Sequence, residues 1–205
     1  PPPLDYNSQG PTFFKFHPEL RSVDKNGRTT PRLSYAYPQV RGFVISLLRE
    51  MARYDIDGVC LLYNRRPPVL DYEPPLIDGF IAEYGEDPRQ LSDEDPRWLS
   101  YRSRTLTQFH RDVRQAMDEV SVDRGLSKRL EVSAVTMRDE QENMLYAMDL
   151  KTWVDEDLVD TIIPYSSGPM LDSINDSWSD PSTAKYFVDL TSGTSCTLAL
   201  NIMPR

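Results

Sequence analysis

The sequence predicts an α/β fold in which parallel strands alternate with helices. Strand-like segments begin near Leu130, Val159 and Ser195, 29 and 36 residues apart, which is the length of a strand–helix repeat. An earlier segment, residues 57–63, is apolar on both faces and indicates a buried parallel strand. Helical periodicity lies between these strands, so we expect a parallel sheet with helices packed outside it.

The segments before residue 64 contain one strong helix signal. Residues 12–16 are a short β-prone run, and residues 18–37 are expected to form a loop with a turn at 25–27. A helix is predicted from Pro38 to Met51, because apolar residues recur at i, i+3 and i+4. Five apolar side chains of this helix are expected to face the sheet: Phe43, Val44, Leu47, Leu48 and Met51.

Residues 64–95 are acidic and proline-rich, and a connection of that length inside a compact domain usually has a function. A short helix near residues 77–84 is expected to interrupt it. Asp95 and Pro96 then begin a long helix that reaches about Val120. Later elements are expected as a strand at 130–137, a helix at 150–156, a strand at 159–165, a helix from 181 to about 190 and a strand at 195–203.

The composition argues against several classes of protein. The 32 Asp and Glu outnumber the 23 Lys and Arg, and a net charge of −9 does not suit nucleic acid or an anionic membrane as a partner. No apolar run approaches the ~18 residues of a membrane-spanning helix. Cys60 and Cys196 are expected to be buried apolar residues, and no zinc-ligand spacing or phosphate-binding loop is present. We therefore predict neither a metal nor a cofactor.

Several short motifs, in order along the chain, resemble one family. They are Tyr54-Asp55-Ile56-Asp57-Gly58 at a strand start, Arg65-Arg66-Pro67-Pro68 behind that strand, Trp98 with Arg102 on the long helix, and Pro164-Tyr165 at a later strand end. Over residues 12–203 the chain is similar to the bacterial glycosyl-hydrolase-like barrels. The resemblance implies one TIM-type (β/α)8 barrel domain spanning residues 1–205. Only about five strands can be counted, so the barrel is expected to be incomplete and excised from a longer chain.

The resemblance also implies a carbohydrate ligand and a pair of catalytic carboxylates at the carboxyl ends of the strands. The loop after residues 57–63 carries Asp71 and Glu73, and the loop after residues 130–137 carries Asp139 and Glu140. We predict that one carboxylate from each loop lies within about 10 Å of the other, as in glycosidases. The alternative is that they are solvated surface acids, which are common in a chain with 32 carboxylates.

One strand end departs from the family pattern. In the family, the strand that begins with Asp-Gly often ends in a carboxylate, whereas Leu62 stands at that position here. The last strand also ends without a carboxylate. Two alternatives to hydrolysis by this chain therefore remain: a non-catalytic barrel that binds a carbohydrate or a partner, and a structural domain whose active residues lie on other strands.

Further residues at the same end of the barrel are expected to bind the substrate: His17, Tyr63, Asn64, Arg65, Tyr165 and Trp178. Trp178 is the best candidate for stacking on a sugar because it lies in a predicted loop, whereas Trp98 and Trp153 are expected in the core. Asp57 and Asp160 begin their strands, so structural contacts at the opposite end are expected of them. The compartment is left open, with secretion or the periplasm as one option.

Overall fold

The computed structural model describes residues 12–64, 68–165 and 181–200. Its helices and strands, in chain order, are α1 (Thr12–Phe16), β1 (Arg21–Val23), β2 (Thr29–Leu33), α2 (Pro38–Met51), β3 (Gly58–Leu62), α3 (Pro74–Tyr84), α4 (Pro96–Asp123), β4 (Glu131–Thr136), α5 (Glu140–Leu145), α6 (Leu150–Asp155), β5 (Thr161–Pro164), α7 (Pro181–Thr191) and β6 (Thr197–Leu198). Short 3-10 helices span Pro18–Leu20 and Pro88–Gln90.

The strands β3, β4, β5 and β6 form one parallel sheet in chain order. Val59 pairs with Val132, and Ile162 pairs with Ala134 on one side and Leu198 on the other. Every connection between neighbouring strands contains at least one helix, as parallel strands require. The prediction of adjacent parallel strands is confirmed, and this succession of strand–helix units is the way in which a (β/α)8 barrel is built.

The two faces of β3 differ in burial. Val59 and Leu61 are buried in the core, whereas Cys60 and Leu62 are exposed, Leu62 to 59%. The expectations that this strand is buried on both faces and that Cys60 is buried are therefore wrong. The physical reason is that β3 is an outer strand of the described sheet, so part of its second face meets solvent. Cys196 is buried, as expected.

Helix α2 has the predicted bounds, but its burial differs from the prediction. Val40 and Leu48 are buried, and α2 packs against α4. Leu47 and Met51 are 43% and 53% exposed, so the prediction that both face the sheet is wrong. Because α2 precedes an outer strand, it has packed neighbours on only part of its apolar stripe.

Residues 12–16 form the helix α1 rather than a β-prone run. The Phe13 ring stacks on the Phe43 ring of α2, with the ring centroids 4.2 Å apart. The His17 N–H donates to the Phe13 carbonyl at 3.1 Å, which extends the helical hydrogen-bond pattern by one residue. Packing on α2 therefore overrides the local β propensity, which depends strongly on context.

The expected loop at residues 18–37 contains an antiparallel hairpin, β1 and β2. Its turn lies where the sequence predicts it. The Asp24 carboxylate accepts hydrogen bonds from the N–H groups of Asn26 and Arg28, and Gly27 adopts a φ of 79°. The pairing of β1 with β2 is a correction, because short polar strands lack the apolar alternation that would reveal them in the sequence.

Helix α4 is the longest of the described elements, and it packs against β4 and against the helices α2, α3, α5 and α6. The Asp95 carboxylate accepts a hydrogen bond from the Arg97 N–H, which confirms the predicted cap. Trp98 and Trp153 are fully buried, as predicted. Within the described ranges, none of the helices combines the length and the apolar character needed to cross a bilayer.

Two later segments also differ from the prediction. The acidic segment after β4 forms the helix α5, whereas the sequence predicts a loop there. The last strand is limited to Thr197–Leu198, and residues 201–203 of its predicted range lie outside the described residues.

The aspartates that precede β3 and β5 make hydrogen bonds that hold the amino ends of the strands together. Asp160 accepts hydrogen bonds from Arg114 Nη1 at 2.9 Å, from Arg129 Nη2 at 2.6 Å and from the Val132 N–H at 2.7 Å. Asp57 is exposed, and its carbonyl accepts a backbone hydrogen bond from β4 at 2.9 Å. The amino ends of the strands are thus held together by charge-assisted and backbone hydrogen bonds.

Gly58 lies where β3 approaches β4 too closely for a side chain. A Cβ atom there would lie 2.3 Å from the Glu131 carbonyl oxygen. We expect Gly58→Ala to lower the free energy of unfolding by about 1–3 kcal/mol, the usual cost of overpacking. Urea denaturation measures this change.

Gly42→Ala is the matched control, because Gly42 lies inside α2 and a Cβ atom there meets nothing within 4 Å. Replacing a glycine inside a helix by alanine should raise the free energy of unfolding by about 0.5–1 kcal/mol. Changes of the same sign in both variants would contradict the close approach at Gly58.

Candidate functional site

A cavity of about 190 Å³ opens at the carboxyl ends of β3 and β4. Its lining comes from the segments that follow these two strands and from the start of α4: Pro68, Asp71, Tyr72, Asp93, Arg102, Leu145 and Tyr146. A larger cavity of about 330 Å³ surrounds Asp57 and Glu131 at the opposite end of the sheet. We assign the candidate site to the first cavity, because barrel enzymes carry their active sites at the carboxyl ends of the strands.

The segment that carries Asp71 is held by hydrogen bonds to the hairpin region. The Tyr72 N–H donates to the Val23 carbonyl in β1 at 2.9 Å, and the Val69 carbonyl accepts a backbone hydrogen bond from the chain after β2 at 3.1 Å. The Asp71 N–H donates to Glu73 Oε2 at 2.8 Å. These contacts keep Asp71 at the wall of the cavity.

The Asp71 carboxyl has a strongly perturbed affinity for its proton. Burial raises the pKa of Asp71 from 3.8 to about 6, and the negative charge of Glu73 adds to this effect. The positive charges of Arg102 and Arg32 lower the pKa of Asp71 in part. A carboxyl group with a pKa near 6 holds a proton under mildly acidic conditions, so it can act as a general acid.

Glu73 lies behind Asp71 and is fully buried at the start of α3. Its Oε2 accepts from the Asp71 N–H, and its Oε1 has no hydrogen-bond partner among the described residues. Glu73 does not contribute to the lining of the cavity. The structure therefore brings the two carboxylates of this segment together, with Asp71 in front and Glu73 supporting it.

Tyr72, Asp93 and Lys25 form a second group at the cavity, which the sequence analysis missed. The Tyr72 hydroxyl donates to Asp93 Oδ1 at 2.7 Å, and Lys25 Nζ donates to the same oxygen at 2.8 Å. These hydrogen bonds, from Lys25 first and then from Tyr72, lower the pKa of Asp93. Burial and the contact with Asp93 raise the pKa of Tyr72. At neutral pH the pair is a carboxylate with a neutral phenol.

The carboxylates after β4 have other neighbours. Asp139 caps α5, because its Oδ1 accepts from the Glu142 N–H at 2.8 Å. Glu140 is exposed in the first turn of α5, and its charge contributes to the raised pKa of Tyr186, after burial. The charges that act on Asp71 come instead from its own segment, from α4 and from the hairpin. The approach of Asp139 or Glu140 to Asp71 remains a prediction.

Tyr63, expected to bind the substrate, lies in the core. Its side chain is 4% exposed, and its hydroxyl is hydrogen-bonded to His110 Nε2 at 2.8 Å. The His110 ring stacks on Trp153, with the centroids 3.7 Å apart. This placement corrects the expectation, because a buried ring with an engaged hydroxyl is not available to a sugar. Burial also lowers the pKa of His110 to about 3, so its ring is neutral.

His17 lies at the end of α1, outside the lining of the cavity. Its Nδ1 is 2.8 Å from Glu19 Oε1, and its ring centroid is 4.5 Å from that of Phe13. The contact with His17 lowers the pKa of Glu19.

The remaining expected binding residues lie near strand ends or outside the described residues. Asn64 is half-buried after β3, and its Oδ1 has no hydrogen-bond partner in the described part of the chain. Tyr165 is half-buried after β5, and its N–H donates to the Thr136 carbonyl at 3.1 Å. Arg65 and Trp178 lie outside the described residues. Within residues 12–64, 68–165 and 181–200, no group of His, Cys, Asp or Glu is arranged to hold a metal ion.

The repeat of parallel strands and helices, with a polar cavity at the carboxyl ends of the strands, defines an α/β protein of the TIM-barrel type. The chain matches the family model Glycosyl hydrolase-like 10 over residues 8–185 and belongs to that family. The resemblance found in the sequence motifs is thereby confirmed.

A solved structure shares this fold. The chain is similar to the PgaB (BpsB) glycoside hydrolase domain from Bordetella bronchiseptica, with a TM-score of 0.57 and 16% sequence identity. The similarity covers 84% of this chain and 51% of that chain, so this chain spans about half the length of the structure it matches. The predicted fold class, part of a TIM-type barrel, is confirmed. No curated protein matches the chain.

The neutral state of His110 predicts a pH dependence of stability. The unfolded chain binds a proton at His110 below about pH 6.5, whereas the folded chain does so only near pH 3. The contribution of His110 to the free energy of unfolding should therefore fall as the pH drops through this window, by at most about 1.4 kcal/mol per pH unit. Urea denaturation at several pH values, compared between the parent and His110→Gln, measures the contribution.

Asp71 contributes with the opposite sign, which makes Asp71→Asn the matched comparison. Its folded pKa is raised, so the folded chain takes up its proton first as the pH falls through about 6, and stability rises. Over the pH range in which both groups titrate, the free energy of unfolding should therefore fall more steeply with decreasing pH in Asp71→Asn than in the parent. In His110→Gln it should fall less than in the parent or rise, because only the opposing contribution of Asp71 remains. Identical slopes in the parent and in His110→Gln would rule out a buried neutral His110.

Proposed function

We propose that the protein cleaves a glycosidic bond in a carbohydrate by a two-carboxylate mechanism. In this proposal Asp71 is the general acid, and Asp139 or Glu140 is the second carboxylate. The observation that carries the proposal is the Asp71 carboxyl, which lines a cavity at the strand ends and has a pKa raised to about 6. Membership of a glycosyl-hydrolase-like family supports a carbohydrate as the ligand.

Glycosidic bond cleavage requires a proton on the departing oxygen and a negative charge near the developing oxocarbenium ion. Asp71 donates the proton, and its burial and the nearby charge of Glu73 favour the protonated state before the reaction. The Arg102 cation favours the carboxylate that remains after transfer. The second carboxylate, in its ionised form, attacks the anomeric carbon or activates a water molecule.

A second candidate function is carbohydrate binding without catalysis. Leu62 favours it, because this exposed alkyl side chain stands where the family pattern often has a carboxylate, and it cannot transfer a proton. In that function the cavity binds a sugar through its polar and aromatic lining, which includes Tyr72 and Tyr146. Asp71 is then a binding group rather than an acid.

Asp71→Asn tests the acid in the natural full-length protein, assayed with a panel of chromogenic glycosides. We expect kcat to fall about 10²–10⁴-fold, the usual contribution of general acid catalysis. The melting temperature at neutral pH should not fall, because a neutral amide replaces a carboxyl group whose ionisation burial disfavours. In the parent, kcat/KM should decline above about pH 6, because Asp71 must be protonated.

Substitutions of the other acids identify the second carboxylate. Either Glu140→Gln or Asp139→Asn should abolish cleavage, and we expect Glu140→Gln to do so without lowering the melting temperature. Asp93→Asn is the control from the same cavity, because Asp93 is engaged by Lys25 and Tyr72 and should affect kcat less. Full activity of Asp71→Asn would contradict the proposal. Sugar binding without cleavage would favour the second candidate.

A further inference from the structure

Arg102, near the start of α4, is only 4% exposed. Removing a guanidinium from water costs free energy unless its charge and its N–H groups find partners in the protein. The mechanism proposed above uses Arg102 only as a nearby charge. Its contacts indicate a second role.

The guanidinium of Arg102 joins two segments that follow different strands. Nη2 donates to the Leu145 carbonyl at 2.9 Å, and Nη1 donates to the Leu70 carbonyl in a longer hydrogen bond of 3.4 Å. Leu70 directly precedes Asp71 in the segment after β3, and Leu145 is the last residue of α5 after β4. One side chain therefore connects the two walls of the cavity.

An aromatic ring, that of Trp98, packs beside the Arg102 guanidinium. The Arg102 guanidinium carbon is 5.3 Å from the centroid of the Trp98 ring, which is fully buried. The Trp98 ring is in turn 5.1 Å from the ring of Tyr72. A guanidinium has a rigid, planar set of donors and stacks on aromatic rings, whereas the ammonium of lysine is a point charge on a flexible stem. The site therefore suits arginine and not lysine.

The segment after α5 stores backbone strain beside this contact. Ala147 has a φ of 65°, in the left-handed region that disfavours residues other than glycine. The turn is closed by a hydrogen bond from the Met148 N–H to the Asn143 carbonyl at 2.8 Å. Such a conformation persists only where surrounding contacts hold it. The hydrogen bond from Arg102 reaches the Leu145 carbonyl, two residues before Ala147.

Carboxylates compensate the buried charge. Burial lowers the pKa of the Arg102 guanidinium, and the carboxylates of three residues raise it in part: Asp71, Glu73 and Asp93. Arg102 in turn lowers the pKa of Asp71 against the larger effect of burial. The position of Arg102 and the protonation of Asp71 are thus coupled.

We propose that Arg102 is the positioning residue of this site, a clamp that ties the Asp71 segment to the end of α5 and fixes the Asp71 carboxyl at the cavity. The proposal rests on the proposed function for the role of Asp71. The clamp itself is a property of the folded chain, so it is measured without a substrate.

The first test is Arg102→Met, followed by carbon-13 NMR titration of the side-chain carboxyl of Asp71. The resonance is assigned by its loss in Asp71→Asn. Removing the cation should raise the titration midpoint of Asp71 by about 1 unit or more. Amide hydrogen exchange should become faster together in residues 69–72 and 143–148. An unchanged midpoint, or faster exchange in only one of the two segments, would overturn the proposal.

Arg102→Lys separates the effect of the positive charge from that of the two hydrogen bonds. It also provides the test if Arg102→Met does not fold. Lysine keeps the positive charge but lacks the fork that reaches two carbonyls. The midpoint of Asp71 should stay close to that of the parent, while exchange in both segments becomes faster. Exchange as slow as in the parent would show that the two hydrogen bonds do not hold the segments.

Arg104→Met is the matched control. Arg104 lies two residues further along α4, its side chain is exposed, and it forms an ion pair with Glu83 at 2.9 Å. Neither readout should change in this variant; the same changes as in Arg102→Met would mean general destabilisation and would overturn the clamp. Full activity of Asp71→Asn would remove the proposed function and leave these readouts intact, so the two failures are distinguishable.

Discussion

Burial of one face of α4 against the parallel sheet is the interaction on which the rest of the structure depends. The helix runs from the carboxyl ends of the strands to their amino ends, so its side chains contact the cavity segments, the core and the amino ends of the strands. Arg102 reaches the segments around the cavity, His110 meets Tyr63 in the core, and Arg114 binds Asp160 at the base. Each is a polar group in a buried position, where hydrogen bonds must replace the lost water. The sheet and the cavity are therefore held by one element.

The candidate site combines a helix-based anchor with segments that follow the strands. Leu62, at the end of β3, is an exposed alkyl group, and the acidic chemistry lies about nine residues further along, at Asp71. Backbone hydrogen bonds to the β1–β2 hairpin and a side-chain contact with Glu73 hold that segment. A loop can carry a precisely positioned functional group when a rigid scaffold supports it on several sides.

Local patterns predicted much of the fold. The cap at Asp95, the turn at Gly27 and the parallel order of the strands all follow from residue types and spacing near each position. Two of the errors have one common cause: α1 is a helix because it packs on α2, and Leu47 is exposed because α2 precedes an outer strand. In both cases a distant part of the chain decides which side chains are covered, and periodicity carries no information about that.

The sequence by itself determined the class of the protein, the order of the parallel strands and the segment in which Asp71 lies, because these depend on neighbours along the chain. Only the tertiary structure decided that Asp71 lines a cavity while Glu73 is buried behind it, and that Tyr63 belongs to the core. It also decided that Arg102 donates hydrogen bonds both to the Leu70 carbonyl, beside Asp71, and to the Leu145 carbonyl at the end of α5. Desolvation and Coulomb interactions depend on separation through space, and residues 31 positions apart, such as Asp71 and Arg102, come together only when the chain folds.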